Sequence, residues 1–479
     1  MGTTAQKLSK ILDTKEEIRQ AINDMGVECD TDIIFAEYPD KIRQISGGGV
    51  TPSLPSSTGW YGISFDITVA NSACTRIGSN MNLHVTLPIQ SKMRRCLLTD
   101  SGMVNYYLDE NDSTKKEDDS TAQLDGTDGQ VMVEIPEHYR QFEVNGNIVN
   151  VMLSEQPLEG FHFVPKCYRS AYQATIDRTI TATPKLASVV NATKAFRGGN
   201  NTTSWDGTYR SLLGKPASNI SLGNFRLYAR SRGGYGLNEA GWNCDVYEIQ
   251  KTCYWLYVIE YANRNCKLPF NAQPTMEEWK QGGLGNGTML NDTAWNTYNA
   301  YNPFIPCGYT NSLGNKTGIV NFTMPPQYGT LTVQVPSYRG LENPFGHIWS
   351  HTDGCKCRIQ SGSAGLSQFY VCDDPAIFQD TNYNDYELQG VLPRAGGYVK
   401  EMLIGEAGEN MPKITTGASS TTYFSIYSYT ALPSSGEQQR SILFGGCAND
   451  GNAGLACTAT NYAASYVYPS IGSRLCFIP

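Results

Sequence analysis

Apolar residues near the start of the chain, Leu8, Ile11, Leu12, Ile18, Ala21 and Ile22, recur at three- and four-residue spacing among Lys, Glu and Arg. That period predicts an amphipathic helix over residues 3–25, stopped by Met25-Gly26. A second short helix is expected over 35–45, after Asp30-Thr31-Asp32. So short a pair cannot bury its stripe alone, and it is expected to dock on copies of itself or on another chain. Ser46-Gly47-Gly48-Gly49 and the Pro/Ser run 51–57 then read as a linker. Beyond it the pattern shifts to alternation. Phe65-Asp66-Ile67-Thr68-Val69 reads as one short strand and Leu83 to Pro88 as another. The stretch 109–128 is acidic and Ser/Thr-rich, with Asp125-Gly126 as a turn, and Gln130 to Pro136 opens the main domain. Residues 246–263 are apolar on nearly every face, which predicts a deeply buried central helix. Alternation returns at 421–430, where a strand would project Tyr423, Ser425, Tyr427 and Tyr429 outward and turn Phe424 and Ile426 to the core.

Composition supports short strands and ordered loops. The chain of 479 residues has 47 Gly and 29 Tyr with 17% charged residues, and its length calls for more than one core. Four segments are expected: a helical piece at 1–46, the linker 47–58, a small β-rich domain at 59–128 and a large domain at 129–479. A net charge of −8 disfavours nucleic acid as a partner. No apolar run reaches the roughly 18–20 residues of a membrane span, so no membrane insertion is expected. The first residues lack the apolar core of a secretory signal, so most of the 14 Cys are expected to be buried small hydrophobes rather than disulfides, Cys447 and Cys457 being set apart as side chains of the variegated tail.

The chemistry-bearing residues do not assemble into a catalytic or metal motif. His347, His351 and Asp353 would share a face only in a helix, which the flanking Gly and Pro oppose, so they read as core residues beside a turn. Asp373-Asp374 falls far short of the six or more oxygens calcium takes. Arg226, Arg230 and Arg232, close to Trp242, could pair with carboxylates or stack on aromatic rings. No cofactor, no metal and no enzymatic activity are expected.

The C-terminal 39 residues, 441–479, contain no Trp, Gln, Met, Lys or Glu, and between Gly445 and Ser473 the one formally charged residue is Asp450. The stretch is rich in Gly, Ala, Asn, Ser, Thr and Tyr, and Tyr, Ser, Gly and Asn are what binding surfaces built to vary use, Tyr giving rigid amphipathic contact while the small polar residues adapt. Phe444-Gly445-Gly446, then this variegated run, then Ile471-Gly472-Ser473-Arg474-Leu475-Cys476-Phe477 resembles the variable proteins of diversity-generating retroelements. Those proteins carry a C-type-lectin fold whose variable residues lie near the C-terminus. Adenine-directed diversification of Asn-type codons cannot produce the five missing residue types. Two further segments, Asn224 to Gly234 with Gly241-Trp242 and Tyr338 to Trp349, resemble the formylglycine-generating-enzyme branch of that fold, Gly340 to Gly346 matching its Gly-x-Glu-Asn-Pro-Phe-Gly core. The N-terminal helices are similar to those of phage and prophage tail proteins.

The resemblance implies an α+β chain with a C-type-lectin-like domain, serving as a phage or prophage tail receptor-binding protein. Its partners would be a host cell-surface protein or glycan and, through the N-terminal helices, tail or baseplate proteins. Its location would be the virion, and its assembly a homotrimer aided by Leu8, Ile11, Leu12, Ile18 and Ile22. A variable region at about 415–470 would offer Cys447, Asp450, Asn452, Ala456, Thr458, Thr460, Tyr462, Ser465, Tyr466, Tyr468 and Ser470 to the ligand, joined by Tyr423, Ser425, Tyr427 and Tyr429. Gly472, Arg474 and Phe477 would be scaffold, and Phe345 and Trp349 would lie buried behind the ligand face. Two rival readings remain: a copper oxygenase of the formylglycine-generating type, whose Cys-x-x-x-x-Cys spacing Cys447 and Cys457 lack, and a purely structural tail protein.

Overall fold

The computed structural model describes residues 59–193, 195–196, 214–234, 241–270, 305–323, 332–446, 452–468 and 470–479, together with scattered positions among the first 58. The chain forms two compact units, Met1–Gly59 and Trp60–Pro479.

In the first unit the described residues between 12 and 23 are helical. Ile18 and Ile22 pack against Ile33 and Tyr38, and the Tyr38 hydroxyl donates to the Lys15 carbonyl at 3.0 Å. Part of the stripe is therefore covered within the unit, contrary to the expectation that all of it must find another chain. Leu12 stays exposed, while Leu8 and Ile11 lie outside the described residues.

The second unit is mostly β-sheet with few helices. A five-stranded antiparallel sheet runs in the order Thr75–Gly78, Trp60–Asp66, Ile148–Ser154, His138–Asn145, His162–Val164. A six-stranded sheet runs Trp242–Cys244, Leu475–Phe477, Cys167–Ser170, Gln130–Ile135, Arg94–Leu98, Val104–Tyr107. Both sheets mix strands from either side of residue 128. Trp60–Asp66 pairs along its whole length with Ile148–Ser154, and Arg94–Leu98 with Gln130–Ile135. The stretch 59–128 is thus no separate domain, because its apolar faces are completed only by later strands. Leu83–Thr86 is a short helix, not a strand, and Asp66 ends the first strand by accepting from both the backbone N–H and the hydroxyl of Thr68.

The central helix is Tyr247–Tyr261, close to the expected bounds. Its Trp255, Tyr254, Tyr257 and Ile259 are almost fully buried, and the Trp255 indole donates to the Gly408 carbonyl at 2.7 Å. A sheet of eight strands is built around Trp349–Gln360. Its main path is Glu387–Val391, Ser367–Val371, Trp349–Gln360, Glu437–Gly445, Gly454–Ala459, Tyr427–Tyr429, Gly397–Tyr398, with Ile471–Gly472 pairing in parallel with Trp349 and Ser350. Among the described residues no helix is long and apolar enough to cross a membrane.

Buried ion pairs tie these layers together. Arg169 grips Asp245 through two bonds of 2.9 and 2.7 Å. Arg226, on the helix Leu222–Arg230, grips Asp353 at 2.6 and 2.9 Å and reaches Asp380 as well. Arg232 bonds Asp100 and the Leu186 carbonyl, and Arg230 the Pro375 carbonyl. These arginines are structural, and each guanidinium finds the charged or carbonyl oxygens that burial demands.

Candidate functional site

The two sequence motifs meet at a backbone crossing. Gly346 ends the turn that follows Tyr338, and its φ of +88° suits glycine. A Cβ there would stand 2.6 Å from the Gly446 carbonyl oxygen, while one on Gly445 would meet the Gly346 Cα at 3.2 Å. Glycine is needed on both sides for the chains to pass. The turn is held from beneath: buried Glu342 accepts from the backbone N–H of Gly308 and from the N–H and hydroxyl of Thr310. Arg95 donates to the Gly340 carbonyl at 2.8 Å.

From this crossing the chain returns as Gly454–Ala459, antiparallel to Glu437–Gly445 and parallel to Tyr427–Tyr429. The segment that follows is anchored through its carbonyl groups. The backbone N–H of Ser441 donates to Tyr462 at 2.9 Å, Leu222 to Ala464 at 3.0 Å, Asn219 to Tyr468 at 3.0 Å and Trp349 to Ser470 at 2.8 Å. Arg440 holds the Asn461 carbonyl, and His351 Nε2 lies 3.3 Å from that of Tyr466. Burial holds the His351 imidazole well below its ordinary value, at about 4, so it is neutral and donates from Nε2. None of these bonds uses a side chain of residues 461–470.

The side chains so released form an aromatic ledge. Tyr462 and Tyr466 stack with ring centres 3.9 Å apart and planes 6° from parallel, and Tyr468 continues the stack at 6.1 Å. Beside them Tyr398, Tyr427, Tyr429 and Trp349 form a row with successive ring centres 5.1, 4.5 and 5.8 Å apart. Asn452 stitches this row, accepting from the Tyr398 hydroxyl at 2.5 Å and donating to the Tyr429 hydroxyl at 3.1 Å. Tyr429, Trp349 and the three stacked tyrosines rest on one apolar base of Leu443, Ala459 and Ile471. All seven rings are half-buried, and Ser465 is exposed at the lip.

Of the residues expected to contact ligand, Tyr427, Tyr429, Asn452, Tyr462, Ser465, Tyr466 and Tyr468 come together on this ledge. Others do not, and each is a correction. Tyr423 and Ser425 have φ of +55° and +54°, so strand alternation begins only at Tyr427. Tyr423 turns inward, its N–H donating to Ala70, and Ser425 is fully buried. Ala456, Thr458 and Thr460 are buried because Gly454–Ala459 lies inside the sheet, and the Thr458 hydroxyl donates to Ser428 at 3.0 Å. Ser470 is buried where its carbonyl receives Trp349. Cys447 and Asp450 lie outside the described residues. Phe424 and Ile426 are in the core as expected, as are Gly472, Arg474 and Phe477.

Two ledge residues escaped sequence reading. Trp349, expected to be buried behind the ligand face, stands in the ledge against Tyr429. Tyr398 follows Gly396-Gly397, and the backbone of Gly397 runs so close to Thr415 that a Cβ would lie 2.5 Å from its carbonyl oxygen. That glycine pair before an aromatic residue was the available signal.

Several reactive side chains elsewhere are shut away. Cys244, Cys355, Cys357, Cys457 and Cys476 are buried; burial pushes the Cys244, Cys355 and Cys476 thiols far up, so they are protonated. His347 is buried with its imidazole lowered to about 3, and its Nε2 accepts from the Ile305 N–H at 3.0 Å. Asp374 caps the short helix Pro375–Ile377. No protein-family model matches the chain, and no curated protein sequence is similar enough to count as a relative.

Proposed function

We propose that this chain is the receptor-binding protein of a phage or prophage tail, and that the aromatic ledge is the surface it presents to a host-cell protein or glycan. In this reading the domain is C-type-lectin-like, of the formylglycine-generating-enzyme branch, and its C-terminal run is the variable region of a diversity-generating retroelement. The observation that carries the proposal is the separation of tasks in residues 461–470. The carbonyls of Asn461, Tyr462, Ala464, Tyr466, Tyr468 and Ser470 are tied by groups outside that segment, while Ser465 is exposed and the rings of Tyr462, Tyr466 and Tyr468 lie half-exposed on their apolar base. A surface meant to change must keep its backbone when its side chains are exchanged, and this arrangement does so. Tyrosine supplies broad amphipathic contact at small entropic cost.

The N-terminal unit would join the protein to the tail, and a homotrimer would let several ledges engage one cell, avidity exceeding single-site affinity by roughly 10²–10⁴. The test is binding of the purified chain to its host cells, with Tyr462, Tyr466 and Tyr468 replaced together by Ala. Loss of at least 100-fold in affinity is expected, since aromatic contacts of this kind contribute about 2 kcal/mol or more when central. Undiminished binding by the folded triple variant would refute the site. A template repeat beside the gene, differing from it only at adenines, would support the diversification; sequence change scattered evenly over the domain in related isolates would oppose it.

A further inference from the structure

Beneath the crossing of Gly346 and Gly445 lies a cavity of about 20 Å³, lined among others by Arg169, Gln173, Asn343 and Arg474. Its chemistry can be read from what is left unpaired. Gln173 and Asn343 are each about 95% buried, and neither Gln173 Oε1 nor Asn343 Oδ1 has a hydrogen-bond partner. The Gln173 amide is oriented by its own nitrogen, which donates to the Ile348 carbonyl at 3.2 Å. Two buried amide oxygens on residues that line this space therefore lack donors among the described residues. Gln250 and Ser350 also line it and are engaged, Gln250 donating to the Leu455 carbonyl and accepting from Asn410, Ser350 donating to Asp245. Arg169 and Arg474 bring guanidinium N–H groups, which can only donate. Arg169 is engaged with Asp245, and Arg474 with the carbonyls of Ser170, Glu342 and Asn343.

We infer that this cavity is a binding site for one structural water molecule, which donates to Gln173 Oε1 and Asn343 Oδ1 and accepts from the guanidinium side. Water is selected by elimination. A halide cannot donate to the two orphaned oxygens, and a monovalent cation would sit against two guanidinium groups whose like charge opposes it. The volume agrees, since a single water needs roughly 10–15 Å³ and a buried water is held by two to four polar partners. The site joins the Asn343–Gly346 turn to the segment after Cys167–Ser170 and, through Arg474, to the C-terminal strand. The molecule thus belongs to the scaffold below the ledge, and the inference stands whether or not the ledge binds a host ligand.

The deciding experiment is a crystal structure that shows ordered solvent, with parallel bromide and rubidium soaks. One fully occupied water within roughly 2.7–3.2 Å of both oxygens, and no anomalous peak in the cavity, is expected. An empty cavity, a bromide peak or a rubidium peak would each overturn the assignment. In solution, oxygen-17 relaxation dispersion should count one fewer long-lived water in a folded Gln173→Met variant than in the native chain, and equal counts would contradict it.

Discussion

The strand Trp349–Gln360 serves two regions built on opposite plans. Toward the interior, Ser350 donates to Asp245 at 3.0 Å and Asp353 receives Arg226, so side chains carry the structure there. At the same strand's start, the Trp349 ring joins the ledge while its backbone N–H holds the Ser470 carbonyl. Along residues 461–468 of the ledge the main chain carries the structure and the side chains stand exposed or half-exposed, the side-chain bonds of Asn452 being confined to the neighbouring row. The difference teaches where sequence can change. Removing a side chain in the first region strands a buried charge, whereas removing one in the second leaves every backbone tie in place.

The largest effect is expected where that contrast is sharpest. Asp245→Ala would leave the Arg169 guanidinium buried without its carboxylate, its side chain being only 8% exposed. A loss of about 3–5 kcal/mol is expected from breaking one side of such a pair, measured as a shift of the urea unfolding midpoint. A loss below about 1 kcal/mol would put this pair in the class of exposed ion pairs and erase the distinction.

Acid should act on both regions. His138, His347 and His351 are buried, with imidazoles lowered to about 4, 3 and 4. Between those values and the ordinary 6.5 the unfolded chain binds protons that the folded chain refuses, so stability is full above pH 6.5 and falls as pH drops toward 4. Burial raises Glu342 and Glu409 and so works in the other direction over the same range. Each imidazole contributes a loss on the order of 3 kcal/mol by pH 4, a tenfold change in a group's proton affinity on folding being worth about 1.4 kcal/mol, and the two carboxyls offset part of the sum. Unfolding measured at stepped pH checks this, and His351→Gln should make the slope shallower. An unchanged slope would mean that this imidazole titrates normally.

A smaller, steric effect is expected at the crossing. Gly346→Ala combines a left-handed backbone with a Cβ directed at the Gly446 carbonyl, and a loss of about 1–3 kcal/mol is expected in the same unfolding assay. A neutral outcome would show that the two motifs are not locked together there.

How much of this was legible in the chain depended on the range of the interactions. The central helix was plain, because fifteen residues from Tyr247 to Tyr261 declare one element by themselves. The inward course of Phe424 and Ile426 was equally plain. The fate of Tyr423 and Ser425 was not, since two left-handed residues reset the alternation and nothing in their side chains announces it. Leu83–Thr86 was misread because Leu83-His84-Val85-Thr86 alternates apolar and polar as a strand does, and four residues are too few to show a helical period. The proposed boundary near residue 128 failed because strand pairing between residues 60–98 and 130–170 is non-local. The ledge was half visible: its tyrosines at 427–429 and 462–468 stood out by composition. Trp349 and Tyr398 did not, for only the strand order brings them alongside.

The central claim is that residues 461–470 keep their fold whatever their outward side chains are. It is tested most directly by two saturation libraries sorted for protease resistance, one at Tyr462, Ser465, Tyr466 and Tyr468, the other at Thr458 and Thr460. Most members of the first library should remain resistant, with stability within about 1 kcal/mol of the native chain. Most members of the second should not, because those side chains are buried within the sheet. Equal tolerance, or a first library that unfolds as readily as the second, would contradict the account.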